Sequence, residues 1–294
     1  MIEYVILHGG LGFLGYNLSL YYAELDDKLV ILNRFKSIYK RIGLYNKITG
    51  LPNTIVIPYQ SLDKTLYRII EVYGCPRIVY NLAGVISGNI NKLIQANAYT
   101  PYTLFKGLLS RKCRSLNIHI SSFYPSQAFK RYVVDEEDPN LSDVNAYTYF
   151  EYTKAYGELL LRKLYERYGG KIIILRPGII VGVYPYHPEL YIQVIIGRYG
   201  IELYDERLLP YTPAVDIGKL GEFIYQRYRG DTNIFQWFNV TPYNLTLHKF
   251  MSHLHKVGMR IAIKVSTMNL VEGILPTAGR LSPIKMLLRY SGAK

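Results

Sequence analysis

The feature that most constrains this chain lies at its head. "YVILHGGLGFLG" runs a short apolar strand into Gly9, Gly12 and Gly15, spaced three residues apart, and a helical stretch over 13–25 follows. That spacing demands a tight turn, then close backbone approach to a pyrophosphate, then close packing of helix on sheet. The unpaired N–H groups of Phe13, Leu14 and Gly15 would face the phosphates, where the helix N-terminus adds positive potential. A strand, a glycine turn and a helix in this order predict dinucleotide binding at the carboxyl end of a parallel sheet.

The chain continues in the same rhythm. "KLVILNR", "NTIVIPY", "RIVYNLAG", "LNIHISS" and "KIIILRPG" read as further strands, mostly as continuous apolar runs. Helical stretches fall over 62–73, over "INKLIQANAYTPYTLFKGLLSRK" and over 145–168. Apolar strands alternating with helices predict an α/β fold, a Rossmann-type doubly wound parallel sheet covered on both faces. After Gly178 the pattern changes. "VYPYHPE" is a proline-broken loop, "LLPYTPAVDIGKLGEFIYQ" leads into a helix, and "WFNVTPYNLTLHKFMSHL" reads as strand, turn and helix. The expected division is a dinucleotide-binding domain over 1–178 and a mainly substrate-binding lobe over 179–294, packed over the carboxyl edge of the sheet. Some segments of that lobe return to the core.

The end of the second strand bears on the choice of cofactor. A carboxylate there would hold the adenosine ribose hydroxyls; this chain has Asn33 and Arg34, with Lys36 and Lys40 close behind. A neutral amide beside a guanidinium accommodates a 2′-phosphate, so NADP(H) is favoured over NAD(H). An ordinary basic surface loop would look the same in sequence.

Composition excludes several classes. Hydrophobic residues make up 49% and charged ones 19%, which is not the balance of a disordered chain. The N-terminus lacks the basic segment of a signal peptide, and the longest apolar runs are broken by Arg176, Pro177 and glycines, so a cytoplasmic protein with no membrane span is expected. The two cysteines, Cys75 and Cys113, stand 38 residues apart, match no metal or redox spacing, and read as buried reduced thiols. The six histidines lack accompanying ligands, and no metal site is expected. Net charge is +13, and residues 245–294 hold eight Lys/Arg against the single acid Glu272. That basic tail suits an anionic substrate, an acidic partner or a peripheral contact with an anionic membrane, and equally a merely solvated face. No nucleic-acid motif accompanies the charge, so nucleic acid is an unfavoured partner.

The motifs together resemble the short-chain dehydrogenase/reductase superfamily, in its extended branch of nucleotide-sugar epimerases and dehydratases. "GGLGFLG" is similar to the glycine turn of that family. "VYNLAG", with Leu82, Ala83 and Gly84, is similar to the fourth-strand motif that lines the cofactor. "QANAYTPYTLF" resembles the helix whose asparagine, here Asn97, helps shape the active centre. "HISSFYP" places Ser122 at the catalytic Ser/Thr position, and "TKAYGE" carries the family lysine as Lys154. "ILRPGIIVG", with Arg176 and Pro177, is similar to the sixth-strand motif beside the nicotinamide. "YTPAVDIGKLGEFI" and "FNVTPYNLTLHKFM" resemble the C-terminal signatures. The resemblance implies hydride transfer between a nicotinamide and a sugar carbon, a homodimer as one assembly, and a nucleotide-sugar substrate.

Two features depart from the pattern: the acidic adenine contact after the third strand is not evident in "IPYQSLDK", and one catalytic residue differs. The family places a proton-moving tyrosine four residues before the lysine; here that residue is Phe150. A phenylalanine has no exchangeable proton. Tyr124, on the loop after the fifth strand, is the substitute with a path to the site, whereas Tyr149 and Tyr152 lie round the helix and Tyr147 lies too far along it. Two functions stay open: a nicotinamide-dependent enzyme on a nucleotide sugar, and a non-catalytic NADPH-holding accessory protein that docks on a partner complex or membrane surface, as in the branch containing the complex I accessory subunit. Phe150 could also be a replacement introduced to hold substrate unturned.

Overall fold

The computed structural model describes residues 3–123, 149–183, 201–204, 208–246, 249–250 and 263–266. Tyr124, Tyr147, His187, the histidines at 248, 253 and 255, and the tail over 267–294 lie outside the described residues. The chain divides into two compact units, Met1–Pro177 with Pro213–Val240, and Gly178–Thr212 with Thr241–Lys294.

The first unit is built on β1 (Tyr4–His8), β2 (Lys28–Arg34), β3 (Thr54–Tyr59), β4 (Ile78–Asn81), β5 (Leu116–Ile120), β6 (Lys171–Pro177) and a later strand, β10 (Ile234–Val240). These form one seven-stranded sheet in the order β10-β6-β5-β4-β1-β2-β3, with every pairing parallel. This is the Rossmann-type doubly wound arrangement expected from the apolar runs. Strands β1 and β5 are buried along their whole length, the condition that a continuous apolar run signals. Winding reverses at β1, whose two neighbours are β2 and β4. The chain leaves those neighbours in opposite directions, which opens a crevice beyond their carboxyl ends.

Helices cover the sheet: α1 (Phe13–Glu24), α2 (Phe35–Lys40), α3 (Ile42–Thr49), α4 (Leu62–Tyr73), α5 (Ile90–Ile94), α6 (Thr100–Leu109), α7 (Tyr149–Tyr168) and α8 (Ala214–Arg227). On one face Tyr4, Ile6, Val30, Leu32 and Val79 pack with Leu104, Phe105 and Leu108 of α6 and Leu161 and Leu164 of α7. Two features differ from the expectation. The stretch between β2 and β3 folds into α2 and α3, where Leu44 and Ile48, one helical turn apart, are buried. The long helix expected after β4 is broken by a π-helical turn over Gln95–Tyr99.

The cysteines require a correction. Cys75 and Cys113 are not reduced thiols but a disulfide, with Cα atoms 5.4 Å apart. Cys75 enters β4 and Cys113 approaches β5, and those strands are hydrogen-bonded neighbours. Parallel pairing brings the two connections together at the amino edge of the sheet, a proximity that 38 residues of sequence conceal.

The second unit contains β7 (Ile179–Val181), β9 (Leu208–Pro213) and β11 (Tyr243–Thr246) in one small sheet, and β8 (Ile201–Tyr204) beside β12 (Ile263–Ser266) in another. Tyr211 stacks on Phe250 with ring centroids 4.6 Å apart. Among the described residues no helix is long and apolar enough to cross a membrane, and no group of three His, Cys, Asp or Glu could hold a metal.

Candidate active site

The crevice at the β1/β4 reversal is lined by the glycine turn and by the residues after β4. Gly9 adopts a φ of +83°, and a Cβ there would come within 2.6 Å of the Ala83 nitrogen. Its N–H donates to the Leu32 carbonyl at 2.8 Å, and the Gly12 N–H donates to the Gly9 carbonyl at 3.0 Å. Gly15 faces the backbone of Gly10 so closely that a side chain could not fit between them. Gly12 caps α1 with no side-chain hydrogen bond, and the first turn carries no acid. The N–H groups of Phe13, Leu14 and Gly15 therefore start an uncapped helix at the crevice. Gly9→Ala is expected to lower stability by about 1–3 kcal/mol through its positive φ and the Ala83 contact together, read from the urea midpoint.

The end of β2 is arranged around this turn. Asn33 is buried, and its Oδ1 accepts the Leu11 N–H at 3.0 Å, so its amide oxygen braces the loop. Arg34 is exposed. Arg41, between α2 and α3, donates from Nη1 to the Leu11 carbonyl at 2.6 Å and stands 3.5 Å from where a Cβ on Gly12 would be. Burial lowers its pKa, with the charge of Arg34 adding to the effect. Sequence reasoning missed Arg41. The spacing of Leu44 and Ile48 was the available signal, since it marks a helix that turns this segment back towards the glycine loop.

On the other side of the crevice, α7 supplies Lys154. It is 6% exposed, and its Nζ donates to the Ile120 carbonyl at 2.8 Å. Nζ lies 3.3 Å from the Cβ position of Gly84, and Gly84 itself is exposed. Burial lowers the lysine pKa to about 8, against the opposing pull of Glu158. Asn97, in the π-helical turn, locks the strand exit: its Oδ1 accepts from the Val85 N–H, and its Nδ2 donates to the Val85 carbonyl and the Thr153 hydroxyl. Single π turns inserted in helices often mark such positions. The Phe150 ring centroid lies 6.0 Å from Nζ. Tyr149 and Tyr152 are 64% and 45% exposed, so neither stands in for a phenol at position 150.

Behind the lysine is a closed ionic cluster. Arg176, at the end of β6, donates from Nε and Nη2 to the two carboxylate oxygens of Glu158 at 3.1 and 2.5 Å. The Ser121 hydroxyl donates to the same carboxylate, and Arg176 lies 5.6 Å from the centre of the Trp237 ring. Pro177 follows, its carbonyl accepting the Phe123 N–H at 2.9 Å. Ser122, beside Ser121, is buried. The described site residues expected from the sequence thus gather at the carboxyl ends of β1, β2, β4, β5 and β6; Tyr124 lies outside the described residues.

A row of buried polar side chains crosses the sheet at the same level. His8 and His119 flank Asn81 in the pairing register. His8 Nε2 lies 2.7 Å from the Tyr59 hydroxyl and Nδ1 lies 2.8 Å from Asn81 Oδ1, while Asn81 Nδ2 lies 3.0 Å from His119 Nδ1. A neutral His8 satisfies both contacts by donating from Nδ1 and accepting the Tyr59 proton. Burial depresses its pKa from 6.5 to about 4, an effect larger than the Asn81 hydrogen bond that opposes it. Below pH 6.5 the unfolded chain therefore takes up a proton that the folded chain refuses. This contribution is present above pH 6.5 and is lost as pH falls towards 4, by about 3 kcal/mol. Urea midpoints measured from pH 7 to pH 4 should fall accordingly; a flat profile would contradict it.

A parallel sheet of this order, with a glycine turn at its reversal, is a Rossmann-type architecture. The chain belongs to the NAD dependent epimerase/dehydratase family, whose sequence profile matches residues 5–199. Among similar solved structures is the UDP-N-acetylglucosamine 4-epimerase of Methanobrevibacter ruminantium M1 in complex with UDP-N-acetylmuramic acid. It is 18% identical with a TM-score of 0.67, over 90% of this chain and 89% of that one. The UDP-glucuronic acid 4-epimerase of Bacillus cereus, with UDP-glucuronic acid and NAD, is 18% identical with a TM-score of 0.69, over 90% and 86%. The dTDP-glucose 4,6-dehydratase of Bacillus anthracis, with NAD, is 14% identical with a TM-score of 0.70, over 90% and 84%. At these identities the likeness is one of fold. No curated protein matches the sequence significantly.

Proposed function

We propose that the protein binds a nicotinamide dinucleotide, NADP(H) in preference to NAD(H), and uses it on a nucleotide-linked sugar in epimerase, dehydratase or reductase chemistry. The observation that carries this reading is the meeting of an uncapped glycine turn and a buried lysine across one crevice. The residues fit the cofactor. Gly9 lets the turn pack against Ala83, the uncapped N-terminus of α1 at Gly12 is free to meet a pyrophosphate, Lys154 sits under exposed Gly84 where a ribose hydroxyl could reach its ammonium, and Asn97 holds that segment in place. The cofactor, when bound, would supply or accept a hydride. Ser122 would hydrogen-bond the substrate oxygen. The family and the sugar nucleotides bound by several similar structures support the substrate class.

Preference for NADP(H) draws on the guanidiniums at the end of β2. Arg34 is exposed, and Arg41 is held against the glycine loop by its bond to Leu11. Two planar donors at one corner suit a phosphate dianion. Fluorescence titration of NADPH and NADH against the protein tests the reading, followed by a panel of UDP- and dTDP-sugars analysed for epimerised, dehydrated or reduced products. NADPH is expected to bind at least about tenfold tighter, and Arg41→Ala to remove about 1–3 kcal/mol of that preference. Equal affinities, or tighter NADH binding, would reverse the cofactor assignment. Phe150 favours a second reading, a non-catalytic member that holds NADPH as a structural element; tight NADPH binding with no turnover on the whole panel would select it.

A further inference from the structure

Position 150 holds no exchangeable proton, and the described ionisable side chains buried beside it on α7 are Glu151 and Lys154. The Lys154 Nζ meets one hydrogen-bond acceptor among the described residues, the Ile120 carbonyl at 2.8 Å. Glu158, one turn along α7, opposes the effect of burial on Lys154 but is itself bonded through both oxygens to Arg176 and through one of them to Ser121. On β5 the nearest titratable group is His119, wholly buried and held neutral by that burial, with Lys154 adding to the effect. On β6 the facing charge is the cation Arg176. Among the described residues Lys154 is therefore a buried ammonium with one hydrogen-bond acceptor and no carboxylate bonded to it, conditions that favour loss of a proton. It lies next to the Phe150 ring and below Gly84, whose missing side chain leaves the amine its space.

We propose that Lys154 itself moves the proton that a phenol at position 150 would have moved, exchanging it between Nζ and the substrate oxygen, directly or through one water. The inference rests on the reading of the crevice as a nicotinamide-dependent site. In the reducing direction a bound reduced nicotinamide would supply hydride to the carbonyl carbon, and the C=O π pair would move to oxygen. That oxygen takes a proton from Nζ, whose N–H pair stays on nitrogen. The resulting neutral amine regains a proton from water. In the oxidising direction the neutral amine takes the hydroxyl proton as hydride leaves the carbon. Burial that brings the lysine near pH 8 keeps both forms populated around neutrality.

The test begins with protein labelled with 15N at lysine, the Lys154 signal being assigned by its absence in Lys154→Arg. A Nζ midpoint near 8 is expected, an acidity about 300-fold above that of an ordinary lysine. The second arm compares wild type with Lys154→Arg for NADPH affinity and for turnover of the best sugar nucleotide. A proton-transfer role predicts a loss of about 10²–10⁴ in kcat at saturating NADPH, beyond any loss of NADPH affinity, and disappearance of the limb near pH 8. A loss confined to NADPH affinity would make Lys154 a cofactor-holding residue only. Should the arginine variant misfold, Lys154→Met and the wild-type pH profile decide in its place. If wild type binds no NADP(H), the parent reading falls and the inference with it. NADPH binding together with a lysine midpoint above 10 overturns the inference alone.

Discussion

Phe150→Tyr should raise turnover on a nucleotide sugar by about 10²-fold, the lower part of the range that a positioned general acid/base contributes. The gain has an electrostatic origin. The ring lies 6.0 Å from the Lys154 ammonium, and at an effective dielectric of ~20 a charge at that distance favours a phenolate by about 3 kcal/mol. A phenol that titrates near ~10 in water would be drawn towards ~8, where it can exchange a proton. Lys154 would revert to supporting the phenol, and its own midpoint should rise as the two charges come to stabilise each other. Steady-state turnover and the pH profile of the variant check both statements. Unchanged turnover, with NADPH still bound, would favour the non-catalytic reading.

Opening the Cys75–Cys113 disulfide should lower stability by about 4 kcal/mol, the chain-entropy value for a closed loop of this length. For a chain of this size that corresponds to a fall in Tm on the order of 10 °C. Cys75→Ser is the cleaner variant, since Cys75 is exposed and its replacement removes no core contact, whereas Cys113 is buried. Reductant should lower the Tm of the wild type to that of the variant and leave the variant unmoved. Equal melting of all samples, with two free thiols titrated in the native protein, would show that the cross-link does not form.

Much of the fold was legible because its signals are local. A three-residue glycine spacing, the apolar runs of β1, β2 and β5, and the helical period over α4 each report a steric or solvation requirement met within a few residues. The same locality places Phe150 one helical turn before Lys154. The π-helical turn around Asn97 was not legible, because it stems from Asn97 reaching across to Val85 and Thr153 rather than from its neighbours in sequence.

By itself, then, the sequence determined the strand–turn–helix grammar, the family, and the absence of a phenol from position 150. Tertiary structure alone decided which distant residues meet. Arg41 reaches the glycine loop because α2 and α3 fold back beside β2. Cys75 finds Cys113 because β4 and β5 are adjacent. His8, Asn81 and His119 join because three parallel strands bring their ends level. The Lys154 pKa is lowered because the fold buries the amine, against the opposing pull of Glu158. Periodicity and turn chemistry are properties of short segments. Proximity and desolvation belong to the order in which the strands assemble.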